Sequence, residues 1–248
     1  MFRRLVRYAL CNFLGFGTIT HVETKKNFVS LTFDDGPNPD FTPQLLNILK
    51  RYNAKATFFV LGKNARRHPN IVKRAIHEGH AIGNHSFDHP SFPLITGKKR
   101  IDQIRSCQKE ILKYTIRILR PPFGHQTLAS RFSALLLGYS VIGWSAHGED
   151  WLDHDADTIA ASIEDGIRPG SIILLHDNLN DVYKARYADR KPTLDAVDII
   201  LERLSSRFHF VTIPEILKNG QPNRSYWMRK CTKEWYDSLN TVAGNECK

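Results

Sequence analysis

From Asn27 to about Leu217 short runs rich in β-branched and aromatic residues alternate with amphipathic stretches of near-3.6-residue period, and this alternation restricts the fold more than any other feature. The β-rich runs are 27–33 (NFVSLTF), 56–60 (ATFFV), 80–84 (HAIGN), 117–119, 139–144 (YSVIGW), 171–175 (SIILL) and 208–213 (FHFVTI). Between them, Leu45, Ile48, Leu49 and Tyr52 make one apolar stripe, with Thr42 expected as its N-cap and Pro43 at the first helical position. Ile101, Ile104, Ile111 and Leu112 make a second, and Leu194, Val197, Ile200, Leu201 and Leu204 a third. Parallel neighbours cannot be joined by a tight hairpin and need a helical crossover. The pattern therefore predicts an α/β fold, a distorted (β/α) barrel with about seven strands, although an open doubly wound sheet would read the same way. A chain of 248 residues can bury such a core without disulfide staples.

Two flanking segments differ from this body. In residues 1–26, read as an N-terminal amphipathic segment, Arg3, Arg4 and Arg7 precede an apolar stretch that superficially resembles a secretory signal. Asn12 interrupts the stretch and no small-x-small cleavage site follows, so it is not read as a signal peptide; it is also too short to span a bilayer. Wound as a helix it places Phe2, Leu5, Val6, Ala9 and Phe13 on one face and the arginines on the other. That fits a helix on a membrane surface through residues 2–14, and equally a helix plugging one end of a barrel. The expected location is the cytoplasm, either free or resting on the inner face of the membrane. Residues 218–248 form a basic, aromatic C-terminal extension, where Trp227, Cys231 and Trp235 recur every four residues and predict a short helix docked on the barrel. The net charge of +10 suits a membrane surface, a nucleic acid or an acidic glycan, and a basic surface alone also accounts for it. No nucleic-acid recognition motif accompanies the charge, so no nucleic-acid partner is expected. Cys11, Cys107, Cys231 and Cys247 are scattered, which fits neither a zinc knuckle nor a disulfide framework.

Chemistry gathers at one kind of position. Asp34 and Asp35 follow the first run, His85 and His89 the third, Arg120 the fourth, Glu149 and Asp150 the fifth, His176 and Asp177 the sixth. In a β/α barrel the loops after the strands share one rim, so residues remote in sequence converge there. An Asp-Asp-Gly-Pro stretch alone reads as a solvated turn, and a lone histidine as a surface or core residue. Five clusters at the same end of five strands are harder to attribute to chance. Two imidazoles and one carboxylate leave coordination positions open, as a catalytic zinc or a non-haem iron site does. Successive side chains on a strand diverge, so Asp34 and Asp35 are expected to divide the work, one binding metal and the other handling protons.

These motifs resemble those of the polysaccharide deacetylases of carbohydrate esterase family 4, over the region 27–217. The matching stretches are TFDDGP at 32–37, HSFDHP at 85–90, RPPFG at 120–124, HGEDW at 147–151 and LLHD at 174–177. The resemblance implies a metal-dependent hydrolase of carbon–nitrogen bonds other than peptide bonds, acting on an N-acetylated sugar in an oligosaccharide, polysaccharide or lipid-linked glycan. It implies Asp34 as general base, Arg120 against it, His176 as general acid and Asp150 as the partner of His176. Asp35, His85 and His89 would hold a divalent ion, zinc by default, with cobalt and nickel as alternatives. The Phe123 backbone N–H would join the oxyanion site, and Trp151 and Leu174 would wall the acetyl methyl group. His147 stands where the family commonly has an aspartate, which bears on the substrate groove and not on the chemistry. The stretch NLNDVYKARYADRK (178–191) is long for a connecting loop and is a candidate specificity loop. An O-acetyl esterase, a hydrolase of non-sugar amides and a non-catalytic glycan-binding module remain alternatives on the same fold.

Overall fold

A computed structural model describes residues 16–111, 115–181, 185–229 and 231–234. The expected amphipathic segment 2–14, and Leu112, Trp235 and Cys247, lie outside the described residues. The strands are β1 (Thr18–Glu23), β2 (Phe28–Asp34), β3 (Ala56–Val60), β4 (Ala81–Asn84), β5 (Thr115–Leu119), β6 (Ser140–Val141), β7 (Ala146–His147), β8 (Ile172–His176), β9 (His209–Phe210) and β10 (Gln221–Ser225). The α-helices are α1 (Thr42–Arg51), α2 (Gly62–Arg67), α3 (Pro69–His77), α4 (Gly97–Ile111), α5 (Leu128–Leu136), α6 (Ala156–Gly166), α7 (Lys191–Leu204) and α8 (Ile213–Lys218). All strand pairs in the main sheet are parallel, in the order β6-β5-β4-β3-β2-β8-β7, with β9 also pairing β2. The sheet curls into a half-barrel, as the strand–helix alternation predicts. No helix among the described residues is long and apolar enough to cross a membrane.

Side-chain parity decides what each face carries. Val29, Leu31 and Phe33 of β2, Phe58 and Val60 of β3 and Ile173 and Leu175 of β8 join the helix residues Leu45, Leu49, Ile163, Leu194, Val197 and Leu201 in one core. The alternate residues lie on the other face, where Phe59, Ile118, Ile172 and Leu174 pack with Ile19 and Val22 of β1. A period of two thus assigns Thr32, Asp34, Leu174 and His176 to the concave face before any contact is considered.

The structure departs from the sequence expectations at the margins. β1 and β10 pair antiparallel, so residues assigned to the two flanking segments form one two-stranded sheet against the barrel. Ile19 bridges Ile142 and His21 bridges Ser171, which places β1 across the gap between β6 and β8. The extension therefore begins as a strand, and Trp227, expected on a helix, lies in irregular chain with its ring 4.7 Å from that of Trp144. The run 139–144 keeps only Ser140–Val141 as strand, and Thr212 caps α8 where 208–213 was expected to stay extended. Thr42 does not cap α1: its hydroxyl is bonded to the Asp177 carboxylate, while Asn38 Oδ1 accepts the N–H groups of Asp40 and Phe41 at 2.8 and 3.1 Å.

Candidate active site

Asp34 is the last residue of β2 and its side chain is buried on the concave face. Arg120, fully buried just beyond β5, donates from Nη1 to Asp34 Oδ1 at 2.7 Å and to Thr32 Oγ1 at 2.8 Å. Its Nη2 donates to the Gly143 carbonyl at 2.8 Å, and its guanidinium lies 4.3 Å from the Phe59 ring centroid. Burial pushes the Arg120 guanidinium down from its ordinary value, and the Asp34 charge opposes this. One carboxylate oxygen of Asp34 is thus held, while Oδ2 faces His85 Nε2 at 3.7 Å.

The chain turns left-handed at Asp35 (φ 71°), so the strand rule that separates adjacent side chains stops applying there. Both carboxylates approach the same imidazole: Asp35 Oδ1 lies 3.3 Å from His85 Nε2 and 3.2 Å from His89 Nε2. The expected divergence of Asp34 and Asp35 is therefore corrected; a backbone turn, and not strand alternation, distinguishes them. Gly36 follows because a Cβ there would collide with the buried Asp177 carboxylate. Asn64 and Asn178 donate to the Asp35 carbonyl at 2.8 and 3.3 Å, and the Asn180 N–H to Asp35 Oδ2 at 2.9 Å. Asp35 Oδ1 is left buried with no hydrogen-bond donor.

The tautomers of the two histidines follow from their outer partners. His85 Nδ1 lies 2.7 Å from the Arg120 carbonyl, which can only accept, so Nδ1 donates and the neutral ring carries its lone pair on Nε2. His89 Nδ1 faces Asp181 Oδ2 at 2.5 Å, with the same consequence. Two imidazole lone pairs and an orphaned carboxylate oxygen converge within 4.8 Å of one another. Such a set of acceptors suits a cation, and the ligand types fit a divalent ion with open positions. Burial pushes the Asp35 carboxyl up, but the imidazoles of His89 and His85 outweigh it and hold it below the usual carboxylate range. Burial likewise lowers His89, and the Asp35 and Asp181 carboxylates overcome this and raise it.

On the other side of the cavity His176 closes β8. Its Nδ1 lies 2.9 Å from Asp150 Oδ1, and its backbone N–H donates to Asp150 Oδ2 at 2.8 Å. Arg190 donates to the Asp150 carbonyl at 2.7 Å, and Thr193 Oγ1 lies 3.2 Å from Asp150 Oδ2. Burial lowers the His176 imidazole, but the Asp150 charge and hydrogen bond, with Asp35 and Asp34, raise it overall. A cavity of about 490 Å³ opens between the two groups. Its walls include Phe123, Trp151 and Leu174, and the Phe123 ring sits 4.4 Å from that of His89. Of the ten residues given catalytic, metal-binding or substrate-binding roles by the resemblance, all but Arg120 and Asp150 line this space; those two stand immediately behind it.

Some residues fall elsewhere. Glu149 turns away, its side chain half exposed and 3.9 Å from His154. Asp177 points away from the cavity toward Thr42, and burial pushes its carboxyl up to about 7. His147 does not line the cavity; its ring leans on Trp151 at 5.5 Å. Sequence reasoning missed Asp181, Arg190 and Thr193 as supports of the site. Asp181 and Arg190 lie within 178–191, so the length of that loop was the available signal.

A curled parallel sheet with a carboxylate–bis-imidazole set that fits a divalent ion at the C-terminal ends of its strands, flanked by a buried carboxylate and a buried imidazole, has the parts of a hydrolase active site. Residues 21–142 match the family model described as polysaccharide deacetylase. The chain is 36% identical over 79% of its length to a peptidoglycan-N-acetylglucosamine deacetylase of Bacillus cereus, covering 70% of that protein. It is 33% identical to a chitooligosaccharide deacetylase of Azorhizobium caulinodans, over 77% of this chain and 94% of the relative. A solved peptidoglycan N-acetylglucosamine deacetylase in complex with 4-naphthalen-1-yl-N-oxidanyl-benzamide superimposes with a TM-score of 0.74 at 34% identity, covering 82% of this chain and 94% of the other. The chain belongs to the polysaccharide deacetylase family.

Proposed function

We propose that this chain removes the acetyl group from N-acetylglucosamine residues of a glycan, with Asp35, His85 and His89 holding a zinc ion. The observation that carries the reading is the opposition of two groups across one cavity: Asp34, clamped through a single oxygen, and His176, paired through Nδ1. When bound, the ion supplies Lewis acidity, polarising an acetyl carbonyl and acidifying water. Asp34, with Oδ1 occupied by Arg120, accepts the proton of the attacking water at Oδ2. His176 has Nδ1 committed to Asp150, so Nε2 is the nitrogen that donates to the leaving amine. The Phe123 N–H shares the charge developing on the acetyl oxygen, and Trp151 and Leu174 enclose the methyl group. The named activities of the relatives support an N-acetylglucosamine substrate.

The test is to incubate the zinc-loaded chain with N-acetylglucosamine oligomers and, separately, with O-acetylated xylan. Loss of acetyl units from the former, seen by mass spectrometry with stoichiometric acetate, is the expected result. Acetate from xylan alone would make the chain an O-acetyl esterase instead.

A further inference from the structure

We propose that Asp181 is a positioning residue that sets the metal affinity of the site and makes it depend on the loop after β8. The inference rests on the metal site proposed above. Asp181 comes from the long loop, not from a family motif, yet its Oδ2 lies 2.5 Å from His89 Nδ1. A carboxylate there fixes the imidazole in the tautomer that presents Nε2, restricts its rotation and raises its basicity as a ligand. The same stretch reaches a second ligand, because the Asn180 N–H donates to Asp35 Oδ2 and Asn178 Nδ2 to the Asp35 carbonyl. Three polar contacts from 178–181 therefore hold two of the three ligands, while His85 is held separately by the Arg120 carbonyl. Asp181 also lines the cavity, so a substrate that displaces this loop would loosen His89.

Metal-free full chain is titrated with zinc against a competing chelator, for the unsubstituted chain and for Asp181→Asn and Asp181→Ala. The zinc dissociation constant is expected to rise about 10- to 100-fold in both variants. Thermal unfolding of the metal-free forms should shift by only a few degrees, and at saturating zinc both variants should still reach the metal occupancy of the unsubstituted chain. Equal zinc affinity in all three proteins would overturn the proposal. Failure of the unsubstituted chain to bind zinc would instead remove the metal site itself.

A separate observation carries a second inference: the outer face of α5 is a docking surface for an anionic lipid bilayer. Leu128, Phe132 and Leu136 are 52%, 57% and 63% exposed, Leu135 and Ala129 are exposed beside them, and the face carries no charge. Helix α4 packs alongside, where buried Arg100 donates to Ser133 of α5 at 3.3 Å. On α4, Lys98, Lys99, Arg105 and Lys109 are exposed and form no ion pair among the described residues, and they outnumber the one exposed acid of the helix, Asp102. Arg117 and Ile116 of β5 are exposed as well. Exposed apolar side chains beside an excess of unpaired cations match the acyl boundary and headgroups of an anionic membrane. The chain enters the described fold against the buried side of this helix, where Arg131 holds the Phe16 carbonyl and the Thr18 hydroxyl.

Co-sedimentation with phosphatidylglycerol–phosphatidylcholine vesicles should retain the full chain, and Phe132→Glu with Leu136→Glu should reduce binding at least tenfold without changing turnover on soluble oligomers. Absence of binding, equal binding by the variant, or equal binding to neutral vesicles would overturn the lipid assignment. So would a concentration-dependent dimer abolished by the same substitutions, which would assign the face to a second copy.

Discussion

Asp34 and His176 are register partners on adjacent parallel strands, β2 and β8. Neighbouring strands lie about 4.8 Å apart and parity turns both side chains to the concave face, so the sheet itself sets the spacing of the two groups assigned to proton transfer. A slip of one residue in either strand would turn one of them into the helix-covered core. Loops supply the metal ligands, but hydrogen-bonded strands fix the proton-transfer pair.

Asp34→Asn and His176→Ala should each lower kcat about 10²- to 10⁴-fold, the usual worth of a general base or acid. In the Asp34→Asn variant the carboxamide oxygen can still accept from Arg120, but the buried guanidinium loses its counter-charge, so the unfolding temperature should fall as well and kcat is referred to the folded fraction. Steady-state kinetics beside thermal unfolding separates the two effects, and undiminished turnover by that variant would remove Asp34 from the base role.

Arg120→Met should act on stability more than any surface change. The guanidinium is completely buried and serves Asp34, Thr32 and the Gly143 carbonyl. Removing it leaves the Asp34 charge buried without its partner, which costs on the order of 3–5 kcal/mol. Urea denaturation would measure the loss, and a change under about 1 kcal/mol would mean that water replaces the guanidinium.

The architecture was legible because two periodicities are written into the chain. Alternation along β2 and β8 and the 3.6-residue stripe of α7 report burial directly. The clusters after the strands were legible because a parallel sheet brings all such ends together. The elements that sequence reasoning missed have no burial pattern to betray them. β10 reads Gln-Pro-Asn-Arg-Ser, polar throughout, and pairs through its backbone at an edge where proline is tolerated. β7 has two residues, too few for a period. Asp181 supports His89 through one contact from a loop, and nothing local in Asn-Asp predicts which histidine a carboxylate will meet. Thr-Pro before an apolar stripe usually marks a cap, but at Thr42 the buried Asp177 carboxylate claims the hydroxyl.

The Asp150→Asn variant should move the alkaline limb of the pH–rate profile. Burial depresses the His176 imidazole, and the Asp150 carboxylate is the main influence that raises it above its ordinary value of 6.5. The protonated imidazole is the donor, so activity persists below the raised folded value and falls as pH rises through it. With the carboxylate replaced by a neutral amide the depression by burial is less opposed, and the fall should begin at lower pH. Profiles of kcat for both zinc-loaded proteins check this; a coincident alkaline limb would exclude His176 as the titrating acid.

His80 should make the fold acid-sensitive from the end of the barrel opposite the active site. It immediately precedes β4, its Nδ1 accepts the Ala56 N–H at 3.1 Å, and its ring meets Phe58 edge-on at 5.6 Å. Burial, with Lys55 nearby, depresses the imidazole from 6.5 to about 4, so the folded state favours the neutral ring. Because the folded value is the lower one, the stabilisation is complete above 6.5 and is lost as pH falls from there toward 4. A difference of that size corresponds to about 3 kcal/mol when fully expressed. His80→Gln keeps an acceptor for the Ala56 N–H but cannot take up a proton. Denaturant unfolding at about pH 7 and about pH 4.5, on either side of the unfolded value, should show the unsubstituted chain losing more stability than the variant, and equal losses would place the acid sensitivity elsewhere.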